Sequence, residues 1–303
     1  MTYLTKEDWT KYFLPKLSDD KSFSVHLKEK IKIQNSFIRL ISKILNSQKN
    51  SEKKLTQRVL LSSMIYYHKY ILFNNISHSD LSPIDKLVLY STCIFLAFKQ
   101  ANKLIHLNMI ASKFQPCFNK FKNFEIEEIK EFIIKKEFDI LISIEFDMAT
   151  DWPYELLNLV KIYLKKLQKG NETIIRIINY INLNINDSIL FPLYLYYTPN
   201  EIVFSCILLA IKKYNLDFIN INDLIKLNKF QIDYDNIKQC AIYISKIIKY
   251  KNELIENNKN INEKNNNILS NNLNNINTNI NNENNNNFLE KIKNISLIKM
   301  NTI

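Results

Sequence analysis

The feature that most restricts this fold is the near absence of glycine: 303 residues hold one, Gly170. Sheets joined by tight turns need positive φ angles, which glycine adopts without steric cost. A chain with one glycine and six prolines is expected to form long helices joined by polar loops. The same scarcity excludes functions. Glycine-rich loops let backbone close around phosphate, so a P-loop, a dinucleotide fingerprint and a kinase glycine loop are ruled out. The cysteines at 93, 117, 206 and 240 form no CxxC pair, and the histidines at 26, 68, 78 and 106 form no HExxH. Neither a metal site, a cysteine–histidine nucleophile nor a cofactor is expected. Charges in MTYLTKEDWTKYF interrupt any signal-peptide core, and the longest uncharged apolar run, Leu87–Phe98, is far shorter than the ~20 residues of a membrane span. A soluble intracellular protein with no membrane partner is expected. The net charge of +11 favours acidic partners or nucleic acid. Lysine, asparagine and isoleucine are abundant throughout, so charge alone decides little.

One apolar phrase occurs twice. Cys93–Lys99 reads CIFLAFK, and 113 positions later Cys206–Lys212 reads CILLAIK, five of seven residues identical. Helical patterning and punctuation predict helices over Lys6–Leu17, Leu27–Leu45, Leu55–Phe73, Pro83–Lys99 with Ser82 as cap, His106–Lys113 and Ile126–Glu145. Pro153, within DWPY, marks a break. Beyond it the plan repeats: Tyr154–Leu167 ended by Gly170, Thr173–Asn186, a helix opened by Pro199, Asn222–Leu227 and Tyr234–Tyr250. The repeated phrase is the third helix of each half. A helix apolar on every side is surrounded by other helices, and a closing lysine suits the negative end of its dipole. From Lys251 to Asn287 the composition changes, with 16 asparagines in residues 261–290. Such a segment buries too little apolar surface to offset its ordering entropy and is expected to be disordered. The expected divisions are an N-terminal extension (1–26), two helical repeats (27–150 and 151–250), the asparagine-rich segment (251–287) and a terminal helix (288–303).

Three stretches in order carry a family resemblance: KLTQRVLLSSMIYYHKYIL from Lys54, then PIDKLVLYSTCIFLAFK, then EFDILISIEFDMATDWPYELL. Together they resemble the second, third and fifth helices of transcription-type cyclins, with Tyr66-Tyr67-His68-Lys69-Tyr70 in the place of an aromatic-rich segment. The resemblance covers roughly Leu27–Tyr250. It implies an all-α fold of two tandem five-helix cyclin-fold repeats with flanking N- and C-terminal helices. Within the family, LYLYYTPNEIVFSCILLA (Leu193–Ala210) is most similar to cyclin H, with cyclin C the nearest competitor. The implied role is a regulatory subunit of the CDK-activating kinase, without catalytic residues of its own, acting in transcription and the cell cycle. The implied partners are a cyclin-dependent kinase as heterodimer, a third assembly subunit and TFIIH. The implied location is the nucleus, with the cytoplasm second.

The fifth predicted helix has a face of its own to explain. Ile126, Ile129, Ile133, Ile140 and Ile144 recur at helical spacing, and Glu137 falls among them. A carboxylate there must be solvated, paired or presented to a partner, because burial without a partner is costly. The resemblance implies that Lys99 and Glu137 are the lysine–glutamate pair that meets the kinase, and that Leu141, Phe146 and Met148 belong to the same surface. Gln100-Ala101-Asn102 departs from the acidic residues that many cyclins place after this lysine. The predicted first helix, LKEKIKIQNSFIRLISKIL, lacks the MRAIL-like docking patch of cell-cycle cyclins. Lys212 aligns with no acid in YDNIKQCAIYISKIIKY. The other class of reading is a nucleic-acid-binding factor resembling transcription factor IIB. That family carries a zinc ribbon, for which no paired cysteines exist here, and direct nucleic-acid binding is not expected.

Overall fold

Proline and hydroxyl caps start the two central helices where the sequence places them. Ser82 accepts from the Asp85 backbone N–H, with Pro83 at the first helical position; Thr198 accepts from the Glu201 N–H, followed by Pro199. An unpaired first-turn N–H needs an acceptor, and proline there has no donor to lose. The computed structural model describes residues 20–45, 53–103, 105–150, 153–166, 170–216 and 233–257. The helices expected over Lys6–Leu17, Asn222–Leu227 and 288–303 lie outside these residues.

The described helices are α1 (Asp20–Leu45), α2 (Lys53–Phe73), α3 (Pro83–Gln100), α4 (Leu107–Phe118), α5 (Ile126–Ser143), α6 (Tyr154–Lys166), α7 (Asn171–Ser188), α8 (Pro199–Tyr214) and α9 (234–257). Short 3-10 turns lie at His78–Asp80 and Pro192–Leu195. Among the described residues there is no strand. The chain divides into compact units Met1–Ile248 and Lys249–Ile303, and both halves of the repeated plan fall in the first. Within the second unit, residues 249–257 are described and helical.

Helix α3 packs against α1, α2, α4 and α5. Every side chain from Val88 to Phe98 is buried. Helix α8 packs against α6 and α7, and Ser205 Oγ donates to the Ile237 carbonyl of α9 at 2.8 Å. The residue before each phrase cysteine returns its hydroxyl to the carbonyl four residues earlier: Thr92 to Val88 and Ser205 to Glu201, both at 2.7 Å. That bond satisfies a buried hydroxyl inside an apolar helix. Helix α1 ties the halves together. Its Gln34 amide donates to the Asn186 carbonyl at 3.0 Å, and Phe23 stacks on Phe191 with centroids 5.2 Å apart.

Four local expectations need adjustment. Helix α1 begins at Asp20 rather than Leu27, because Phe23 and Leu27 are both fully buried against the core. Helix α4 runs past Lys113 to Phe118; Pro116 sits in its last turn, and buried Phe114 and Phe118 carry the helix over it. Helix α9 continues past Lys251 to residue 257. Gly170, expected at the end of α6, is the N-cap of α7, at φ −55° and ψ 139°, with open space where a Cβ would lie; residues 167–169 between it and α6 lie outside the described residues. The left-handed positions instead fall to Asn75, Asn102 and Asn215, and to Glu145 and Phe146. Asparagine tolerates that region better than other residues with a side chain. Among the described residues, asparagine takes the left-handed position after α2, α3 and α8.

Candidate functional site

Lys99 occupies the last turn of α3, and its Nζ donates to Glu137 Oε1 of α5 at 2.7 Å. The Lys99 side chain is 47% exposed and that of Glu137 16% exposed. Ile129, Ile133, Ile140 and Ile144 are buried, so Glu137 does lie in a core-facing stripe, paired rather than solvated. Lys99 Nζ also stands 4.3 Å from the Phe95 ring centroid, a cation–π contact. The pair is half open: solvent screens its contribution to stability, while the lysine still has donors to offer a partner.

Around it lies an apolar surface that the fold leaves uncovered. Phe138 is 60% and Phe146 62% exposed, their rings edge to face at 6.4 Å. Ile134 and Ile142 are exposed on the same helix, and Leu141 and Met148 are half-buried. Spacing places 134, 138, 141 and 142 on a second stripe of α5, rotated from the buried one. An exposed cluster of large apolar side chains beside a charge pair marks an interaction surface. The backbone after α5 aims it outward. Glu145 and Phe146 both adopt left-handed φ, 54° and 57°. The Glu145 N–H donates to Ile142 O at 2.9 Å and the Phe146 N–H to Leu141 O at 2.8 Å. Two successive residues with side chains in that region cost of order 1 kcal/mol each.

The aromatic segment of α2 braces this surface from behind. The Tyr66 hydroxyl donates to the Met148 carbonyl at 2.7 Å; burial pushes its pKa well up, so it remains a donor. Ser62 Oγ and Thr150 Oγ1 share a hydrogen bond of 2.8 Å. Lys136 donates to the Tyr70 hydroxyl at 3.1 Å and to Asp139 at 2.9 Å. Burial opposes the charge on Lys136, but these hydrogen bonds outweigh it and raise its pKa. Asn74 donates to Ser143 Oγ at 3.2 Å. The turn carrying Phe146 and Met148 is thus held by hydrogen bonds from α2.

All five residues singled out in the sequence therefore fall on α3, α5 and the turn after α5. Ile134, Phe138 and Ile142 were missed, although apolar residues beside two of the core positions (Ile133-Ile134, and Ile140-Leu141-Ile142) are a legible signal of a second face. The bracing tyrosines are conspicuous in the sequence, but their hydrogen bonds are not. Of the departing Gln100-Ala101-Asn102, Asn102 is left-handed at φ 53° and closes α3. Among the described residues, no group of three or more His, Cys, Asp or Glu side chains is placed to hold a metal ion. No helix among them is long and apolar enough to cross a membrane.

No family model and no curated protein sequence matches the chain. Solved structures do. A chain of the yeast TFIIK (Kin28/Ccl1/Tfb3) complex matches with TM-score 0.52 at 19% identity, covering 80% of this chain and 96% of that one. A chain of the Chaetomium thermophilum CAK complex bound to ATP-gamma-S matches with TM-score 0.51 at 14% identity, covering 75% and 68%. A chain of the yeast RNA Pol II CTD kinase CTDK-1 complex matches with TM-score 0.55 at 14% identity, covering 80% and 72%. These likenesses span both halves of the plan, and with a central helix ringed by four others in the first half they place the chain in its architecture: the protein is all-α and has the cyclin fold.

Proposed function

We propose that the protein is a cyclin that binds and activates a cyclin-dependent protein kinase, as an H-type cyclin of a CDK-activating kinase acting in transcription and cell-cycle control in the nucleus. The observation that carries this reading is the uncovered surface of α5, with Phe138, Leu141, Ile142, Phe146 and Met148 grouped beside the Lys99–Glu137 pair. Of the three solved structures named above, one is described as an RNA Pol II CTD kinase complex and one as a CAK complex bound to ATP-gamma-S, which supports a kinase partner; the TFIIK complex has three named subunits, which fits a third assembly subunit and TFIIH as further partners.

The mechanism follows from kinase chemistry. Phosphoryl transfer needs a kinase lysine paired with a glutamate of the kinase αC helix to set the ATP phosphates. A rigid surface that binds only the inward position of that helix shifts the population towards the competent state. The apolar cluster supplies buried area, and the half-exposed Lys99 supplies donors to backbone carbonyls at the contact. The kinase contributes every catalytic group, and this chain acts as a regulatory subunit.

The test begins with affinity purification from the native cell, to identify the co-purifying kinase. With that kinase, the wild-type chain should form a one-to-one complex and raise its activity. Lys99→Glu and Glu137→Lys should each weaken the complex at least tenfold, and Phe138→Ala should do so as well. Normal binding and activation by both charge-reversed variants would remove the assignment of this surface.

A further inference from the structure

On another side of the first half, α1 borders a groove of about 960 Å³ shared with the start of α3 and the end of α4. Six cationic side chains line it: Lys28, Lys32, Arg39 and Lys43 from α1, Lys86 from α3, and Lys120 after α4. Glu29 is the one carboxylate among the described lining residues. Lys28, Lys32, Ser36, Arg39 and Lys43 recur at steps of three and four, so they share one face of α1. Lys28 with Lys32, and Arg39 with Lys43, are like-charge neighbours that destabilise a bare helix. Among the described residues no ion pair neutralises Lys28, Lys32, Arg39, Lys86 or Lys120. The floor is apolar, with Leu40, Leu87 and Phe121. His78 also lines the groove, between the hydroxyls of Tyr67 at 3.0 Å and Tyr90 at 3.4 Å.

We propose that this groove binds an extended peptide segment whose acidic side chains, carboxylate or phosphoserine, pair with the cations of α1 while an apolar side chain seats on Leu40, Leu87 and Phe121. The length fits. From Lys28 to Lys43 the helix rises about 22 Å at ~1.5 Å per residue, which an extended strand covers in about seven residues at ~3.3 Å each. The charge is complementary to such a segment, and its binding would relieve the like-charge repulsion along α1. A single-stranded nucleic acid fits less well, because such grooves stack successive bases on several aromatic faces. Here Phe121 offers the one exposed ring among the lining residues. The α1 helix lacks the docking motif sought in the sequence; what it carries instead is a row of cations that selects ligands by negative charge. The inference is independent of the kinase-facing surface.

The experiment uses the full chain and a fluorescent seven-residue peptide of alternating glutamate and leucine, titrated at low salt. Saturable binding is expected, weakened at least tenfold by the double variant Lys32→Glu, Arg39→Glu at two exposed positions. Cys117 gives a second readout. It lies in the groove, accepts a hydrogen bond from Lys43 at 3.0 Å, and is the only cysteine not buried. Its reaction with a maleimide should slow when peptide is bound. Tighter binding of a phosphoserine version would assign the ligand to phosphorylated segments; weaker binding would assign it to carboxylate-rich ones. No binding at millimolar peptide, equal affinity for a lysine–leucine control, or an unaffected double variant would overturn the proposal. So would a seven-nucleotide single strand that displaces the peptide at lower concentration. The double variant should still bind the kinase, which separates this site from the activating surface.

Discussion

The two copies of the repeated phrase start alike and finish differently. In α3 the burial runs unbroken to Phe98, and the lysine that follows reaches Glu137. In α8 the aligned stretch opens earlier: Leu208, Leu209 and Ile211 are half-buried, and Lys212 is exposed. Its neighbour Lys213 lies 4.1 Å from the Tyr180 ring centroid and, among the described residues, meets no acid. The acidic emphasis moves to the other end of the helix. Glu201 is 6% exposed and accepts from the Thr198 N–H at 2.7 Å, from Thr198 Oγ1 at 3.0 Å and from Asn236 Nδ2 of α9 at 2.8 Å. Its counterpart in α3, Asp85, is exposed and accepts from Ser82 Oγ at 2.7 Å. One copy keeps its charge pair at the surface beside apolar side chains, where a partner can use it; the other uses its carboxylate to fasten two helices. A duplicated apolar core can therefore end in two different polar arrangements, because the charges at the helix ends lie outside the shared apolar middle.

The largest effects should come from the aligned pair Phe98 and Ile211. Phe98→Ala removes a fully buried ring and should cost about 3–5 kcal/mol, whereas Ile211→Ala at a half-buried site should cost about 1 kcal/mol. Urea unfolding of the two variants measures the difference, and equal costs would break the comparison. Next, Glu201→Ala strands three donors and should cost about 2 kcal/mol. Asp85→Ala should cost about 0.5 kcal/mol, since it loses an exposed first-turn acid. Thermal unfolding ranks the two.

Acid should act on the first half. All four histidines lie at or before residue 106. Burial holds His68 well below its ordinary pKa, with Lys30 adding to the effect. Burial, then Lys86, lower His78 to about 4 from 6.5, with Glu29 opposing. A histidine kept neutral in the folded chain takes up its proton more readily once unfolded. This stability is complete above pH 6.5 and is lost as pH falls towards about 4. Tm should drop by several degrees between pH 7 and pH 5. Hydrogen exchange at pH 5, corrected for intrinsic rates, should locate the opening in α2 and around residues 78–90 before α8. Simultaneous opening of α8 would contradict it. Smaller still is the isolated ion pair. Lys99→Ala should cost about 0.5 kcal/mol and Lys212→Ala close to nothing, although on the kinase-facing reading only the first would impair the complex. The smallest expected effect is at Gly170, where serine, a better N-cap, should add a few tenths of a kcal/mol.

Much of this molecule was legible from its punctuation. Ser82-Pro83 and Pro199 mark the starts of both central helices to the residue, because capping and proline geometry are local. Boundaries set by packing were read less well. Phe23 extends α1 upstream, and Phe118 carries α4 past a proline, since a buried aromatic outweighs a weak local stop. The role found at Gly170 is one the sequence reading did not name: glycine commonly follows a helix, and here it also caps the start of α7. In the candidate site the Lys99–Glu137 pair could be anticipated from a family pattern, and it forms. The exposed stripe of Phe138 and Ile142 could not be told from core by composition, because apolar residues on two adjacent faces look the same until the neighbours are placed.

By itself the sequence determined that the chain is helical, where its two central helices begin, and that one buried phrase organises each half; these are consequences of glycine scarcity, capping and periodicity, which act within a few residues. The tertiary structure alone decided how far each phrase stays buried: to Phe98 in α3, but with Leu208, Leu209 and Ile211 half open in α8. It also decided which apolar face of α5 stays open, how Tyr66 and Ser62 hold the turn beside it, and that the cations of α1 share a groove. Those outcomes rest on contacts between residues dozens of positions apart, where energy depends on distance and solvent access rather than on order along the chain.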